Sequence, residues 1–184
     1  ECETSFNELL SGGPGNDEIT GGELAGDNVA TQDFVPGPGD DVVDSGRAEE
    51  EPGSEDCGIL GHEPCHGMLH HRDVVDYTDA TGPVTVDLAG RTASGEGDDT
   101  LLGIDAVMGS RFDDVIAGDD TANVLFGGDG FGYDRLSGAG TNDLLIGGYG
   151  SDHLDGGDGA ADEADGGSGT DTCVASEHRD ECEL

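Results

Sequence analysis

Residues 109–174 read GSRFDDVIA, GDDTANVLF, an extra GG, then DGFGYDRLS, GAGTNDLLI, GGYGSDHLD, GGDGAADEAD and GGSGTDTCV. Written in nines, with two residues inserted before Asp129 and one inside the sixth unit, the stretch repeats a single pattern. Its sixth position is Asp114, Asn123, Asp134, Asp143, Asp152, Asp162 and Asp171. Its eighth is Ile116, Leu125, Leu136, Leu145, Leu154, Ala164 and Cys173. Upstream, GGPGNDEIT (12–20), PGPGDDVVD (36–44) and SGEGDDTLL (94–102) carry Asp17 with Ile19, Asp41 with Val43, and Asp99 with Leu101. A worn copy surrounds Asp27 and Val29. A flexible acidic linker does not hold an Asp and a large apolar residue two apart at a period of nine.

Nine residues divide into six of turn and three of strand. In the strand, side chains alternate, so only the eighth residue points inward. Two units make one winding of a flattened coil. The eighth-position residues of its two sides stack into a thin apolar core, and successive windings pair as parallel strands about 4.8 Å apart. Glycines at positions one, two and four supply turn conformations that other residues resist.

The consensus G-G-x-G-x-D-x-U-x, with U large and apolar, resembles the haemolysin-type, or repeat-in-toxin (RTX), calcium-binding repeat. The resemblance implies an all-β fold, a right-handed parallel β-roll with calcium ions between stacked turns. On it, Asp17, Asp41, Asp99, Asp114, Asn123, Asp134, Asp143, Asp152, Asp162 and Asp171 are the metal-site residues, each carboxylate serving neighbouring windings. Calcium takes six to eight oxygens at about 2.3–2.6 Å, and carbonyls with carboxylates suit it better than they suit zinc or copper. Asn123 replaces the usual Asp, and Phe112, Thr121 and Thr141 replace the fourth-position glycine, so weak or empty sites are expected there.

Composition agrees that something besides a core completes the fold. The formal net charge is −37, from 43 acidic residues against six arginines, and Gly is the commonest residue at 35. Leu, Ile, Val and Phe make up about a fifth of the 184 residues. Such a chain is normally disordered unless a cation offsets its charge. One Ca²⁺ for each of roughly ten repeats brings about +20. Folding is therefore expected to depend on calcium. The field repels nucleic acid and anionic membrane surfaces, and no apolar run approaches the roughly 20 residues of a membrane span. The chain starts at Glu1, which reads as a mature, processed product, and five cysteines fit an oxidising, extracellular setting.

The organisation expected is an N-terminal segment with the first repeats (1–46), a Cys/His-rich insertion (47–72), irregular roll windings (73–108), the regular repeats (109–174) and a disulfide-tied cap (175–184). Within the third, Val84 to Leu88 alternates as a strand does. In the insertion, Cys57 and Cys65 are placed to close a short disulfide loop. The histidines His62, His66, His70 and His71 are either exposed on that loop or ligands of a second metal, zinc or copper, although their spacing matches no zinc finger. Cys173 and Cys182 are expected to bridge across the polar tail, which leaves Cys2 without a local partner.

Two functions compete. One is a secreted, calcium-dependent structural protein, a subunit of an extracellular fibre, adhesin or surface layer, which self-assembles head to tail into a homopolymer. The other is the calcium-binding accessory or secretion module of an RTX-type exoenzyme or toxin. No G-x-S-x-G motif is present; HEPCH (62–66) has the H-E-x-x-H spacing, but Pro64 stands inside the helix that motif needs, and the repeat accounts for the carboxylates of the turns, so no catalytic residue is expected. Ice binding would need regular outward rows of Thr or Asn, which the variable positions lack.

Overall fold

The computed structural model describes residues 6–22, 30–46 and 73–182. Asp27, Val29, Cys2, Cys57, Cys65, His62, His66, His70 and His71 lie outside these residues, and with them the worn repeat, the first disulfide and the second metal site.

The described residues form seventeen short strands and no helix. In chain order they are β1 (Phe6–Ser11), β2 (Glu18–Thr20), β3 (Ala30–Val35), β4 (Val42–Asp44), β5 (Asp73–Asp76) and β6 (Thr85–Asp87). There follow β7 (Thr92–Ser94), β8 (Asp98–Leu102), β9 (Ala106–Met108), β10 (Val115–Ala117), β11 (Val124–Gly128) and β12 (Arg135–Ser137). The last are β13 (Leu144–Gly150), β14 (His153–Asp155), β15 (Glu163–Gly169), β16 (Thr172–Val174) and β17 (His178–Asp180). One sheet has the order β1-β3-β5-β9-β11-β13-β15-β17, the other β16-β14-β12-β10-β6-β7-β8-β4-β2. Outside β6–β8, successive strands go to opposite sheets, two strands and two turns per winding, and pairing is parallel wherever the nonapeptides are regular. This is an all-β architecture of parallel sheets, consistent with a β-roll.

Register follows from the apolar residue of each unit. Leu125 lies opposite Val107 and Leu145, and Leu136 opposite Ile116 and Leu154. Because the side-chain period is two, a slip by one residue would put each of these in water and its neighbours in the core. The two columns meet in one cluster: Phe34, Val75, Val107, Leu125, Leu145 and Ala164 from the first sheet, and Ile19, Val43, Leu101, Val86, Ile116, Leu136, Leu154 and Cys173 from the second.

One winding differs. Where the others place a single strand in the second sheet, residues 85–102 place three: β6 and β7 pair antiparallel, as do β7 and β8. On either side, β8 rejoins β4 and β6 rejoins β10 in parallel, while β5 and β9 stay neighbours in the first sheet. The tight turn between β6 and β7 is closed by the N–H of Arg91 on Leu88 O and by the N–H of Gly90 on Asp87 Oδ1. Tyr77, Ala80, Val84, Leu88, Ala93 and Ile104 fill the space this creates.

At the far end β17 pairs with β15, and Arg179 occupies the place that a buried apolar residue holds in earlier windings. Its Nε donates to Ser176 O instead. A disulfide joins Cys173 to Cys182 across a Cα–Cα distance of 5.8 Å, as expected from the sequence.

Candidate calcium sites at the turns

The sixth residue of each unit lies two before the buried eighth, so it faces the same way. The sixth residue, at the end of the turn, thus points inward along with the eighth, the one inward residue of the three-residue strand. Asp41, Asp99, Asp114, Asn123, Asp134, Asp143, Asp152, Asp162 and Asp171 are all buried, and only Asp17, in the outermost winding, is partly exposed. They form two columns, one at the entry to each sheet.

Within a column each carboxylate binds the backbone of the winding before it. The N–H of Asp17 donates to Asp41 Oδ1 (2.8 Å), and that of Asp41 to Asp99 Oδ1 (3.1 Å). Further along, Asp114 donates to Asp134, Asp134 to Asp152, and Asp152 to Asp171, at 2.8–2.9 Å. In the other column Asn123 donates to Asp143, Asp143 to Asp162, and Asp162 to Glu177 Oε2, again at 2.8–2.9 Å. One oxygen of each acid thus serves as a structural acceptor between windings.

The second oxygen is different. On Asp17, Asp41, Asp152 and Asp162, Oδ2 is buried and accepts no hydrogen bond. A buried ionised oxygen without a partner is strongly unfavourable, so it either takes up a proton or meets a cation. Burial pushes the Asp134 carboxyl up to about 7; the N–H of Asp114 opposes this, and the charges of Asp152, Asp114 and Asp113 add to it. Burial likewise raises Asp41, Asp99, Asp114, Asp152 and Asp162.

Backbone oxygens converge on the same places. A Cβ added to Gly147 would stand 2.6 Å from both Asp152 Oδ2 and Gly166 O, so the first-position glycine is a gap between a carboxylate and the next winding's carbonyl. Gly148, the second-position residue, has φ +103°, which an L side chain resists. Among the described residues no three His, Cys, Asp or Glu side chains gather in one cluster. The acids are dealt out one per turn, and carbonyls must complete any cation's shell. An all-oxygen donor set with unpartnered carboxylate oxygens fits calcium.

A family model of the RTX calcium-binding nonapeptide repeat matches residues 4–23, 102–133 and 131–161, in four copies. The chain carries RTX calcium-binding nonapeptide repeats. No curated protein matches it. The RTX matches hold Asp17, Asp114, Asn123, Asp134, Asp143 and Asp152; Asp41, Asp99, Asp162 and Asp171 fall beyond them yet stack in the same columns.

Four positions of the stacked columns fit a cation less well. Both oxygens of Asp114 accept from Ser110, which stands where a second-position glycine is usual. Asp99 Oδ2 accepts from the Tyr77 hydroxyl, and Asn123 Oδ1 from the N–H of Asp119. The fourth is Gln32, which the sequence reading missed together with Asp73, Asp105 and Glu177. Gln32 lies opposite Asp73 in the register, two before Phe34, and so holds the sixth place of its winding. Asp105 stands two before Val107, and Glu177 two before Arg179. For Gln32 and Asp73 the signal is a buried residue two before a core position, read from strand pairing rather than from Gly-Asp spelling; Asp105 is half-buried and Glu177 exposed, and only the strand pairing places them.

Proposed function

We propose that this is a secreted calcium-binding structural protein whose right-handed roll is completed by ions seated between successive turns. The observation that carries the reading is the set of buried Oδ2 atoms on Asp17, Asp41, Asp152 and Asp162, each without a hydrogen-bond partner. Right-handed crossover is the rule for parallel strands joined in this way. Each ion is expected between the carboxylates and turn carbonyls of adjacent windings, where it replaces the proton that burial would otherwise call for. The Cys173–Cys182 bridge supports an extracellular setting. The protein is read as non-enzymatic, because its buried acids recur winding after winding instead of forming one distinct pair.

Assembly of the chain into a fibre is part of the proposal. Strands β1 and β2 are the outer strands of the two sheets at the N-terminal end, and Leu9 there is 68% exposed. Unpaired strand edges with apolar surface recruit further strands. The occupant expected is the β16–β17 end of a second copy, with calcium offsetting the repulsion between acidic subunits.

Isothermal titration with calcium tests the metal reading: several ions are expected per chain, and fewer in Asp152→Ala. An identical titration for the two proteins would refute the assignment. Light scattering on eluted protein tests the fibre. A mass that rises with calcium supports it; a strict monomer at high concentration in millimolar calcium leaves a calcium-binding module, as in the exoenzyme reading.

A further inference from the structure

The four misfit positions share a chemistry. Gln32 is 1% exposed, and its Oε1 accepts from the N–H of Gly22 at 2.9 Å. Its Nε2 lies 3.3 Å from Ser45 O, 3.4 Å from Gly22 O and 3.3 Å from Asp73 Oδ1. Two turn carbonyls and the carboxylate of the next winding are the kind of oxygens a calcium ion collects between turns. Here a neutral amide collects them. Tyr77, 4% exposed, does the same for Asp99 with its hydroxyl at 2.8 Å. Ser110 does so for Asp114, with Oγ 2.9 Å from each carboxylate oxygen, and the N–H of Val84 adds a further bond at 2.7 Å. At Asn123 the side chain is itself an uncharged amide that turns its oxygen to Asp119 N–H.

We infer that the chain replaces calcium with its own hydrogen-bond donors at Gln32, Asp99, Asp114 and Asn123, and that residues 73–125, which hold the last three, form a metal-independent block between two metal-dependent segments, the first of which keeps one metal-free position at Gln32. The inference rests on the calcium reading above. Three of the positions fall within this block: Asp99 precedes the buried Leu101 of β8, Asp114 precedes Ile116 of β10, and Asn123 precedes Leu125 of β11. They enclose the antiparallel strands β6–β8 and the apolar cluster of Tyr77, Val84, Val86, Leu88, Leu101 and Ile104. This block has both the apolar burial and the satisfied polar groups that a fold needs without a ligand. The unpartnered Oδ2 atoms lie outside it, on Asp17 and Asp41 before and on Asp152 and Asp162 after.

The test is hydrogen exchange, read by mass spectrometry of peptides, on the full chain in excess EGTA and in millimolar calcium. In EGTA, amides of 73–125 are expected to exchange roughly tenfold or more slowly than those of 129–171. In calcium both regions are slow. Tyr77→Phe removes the donor to Asp99 and is expected to abolish the protection in EGTA but not in calcium. Equally fast exchange of both regions in EGTA would overturn the inference and leave the calcium reading standing. Equally slow exchange in EGTA, with no calcium taken up, would overturn both. Native mass spectrometry of Gln32→Glu gives a second readout. With the amide donor replaced by a carboxylate, the ion count is expected to rise by one, and an unchanged count would overturn the assignment at Gln32.

Discussion

The sixth-position carboxylates have two oxygens with separate duties. Oδ1 accepts a backbone N–H from the neighbouring winding, whereas Oδ2 of Asp17, Asp41, Asp152 and Asp162 faces inward with no donor. At Asp41, Asp152 and Asp162, whose carboxyls burial raises, a proton and a calcium ion compete for that oxygen, and this sets a pH dependence. Burial raises Asp134 to about 7, above its ordinary 3.8, so the metal-free fold binds that proton more tightly than the unfolded chain does. Stability from the protonated form is then fully present below about 3.8 and is lost as pH rises through about 7. Metal-free protein is expected to gain β structure on acidification from pH 8 to pH 4, seen by circular dichroism, while its calcium affinity falls over the same range. A metal-free spectrum that loses β structure as the pH falls would contradict the assignment of these groups.

At the level of the strand, much was legible and some was not. The regular units announce their turns and their single inward residue, and Leu125, Leu136, Leu145 and Leu154 are the buried residues of β11 to β14. Because each strand contributes one such side chain, none has a substitute. Leu145→Ala is expected to destabilise the calcium-loaded protein by about 2–5 kcal/mol, measured by denaturant unfolding; a change below about 1 kcal/mol would mean that the column packs loosely. Val84, Val86 and Leu88 alternate, and their strand was visible, but alternation does not say whether the partner runs parallel or antiparallel. The three-strand excursion β6–β8 was therefore hidden. Gln32 and Phe34 were hidden for another reason. Phe34 follows Ile19 by 15 residues rather than by nine, so the period of nine pointed to Asp27 and Val29. Tyr77 gave no sign of its bond to Asp99, since the two are 22 residues apart and meet only through the winding.

For the molecule as a whole, the net charge of −37 opposes compaction. The C-terminal end is secured by the Cys173–Cys182 bridge, which joins the last strand of the second sheet to the residues after β17. A bridge of sequence separation 9 is worth about 2–3 kcal/mol by restricting the unfolded chain. Reduction is expected to speed hydrogen exchange in β15–β17 while sparing β9–β11; even loss across the roll would mean that the end holds the whole structure together. The larger claim is that calcium is a component of the fold and not a ligand of a preformed one. Far-UV circular dichroism at low ionic strength, recorded in excess EGTA and again after calcium is restored, tests this most directly. The account predicts that most of the β signal disappears in EGTA, leaving the share of the 73–125 block, and returns in full with calcium. An undiminished β spectrum in excess chelator would contradict it.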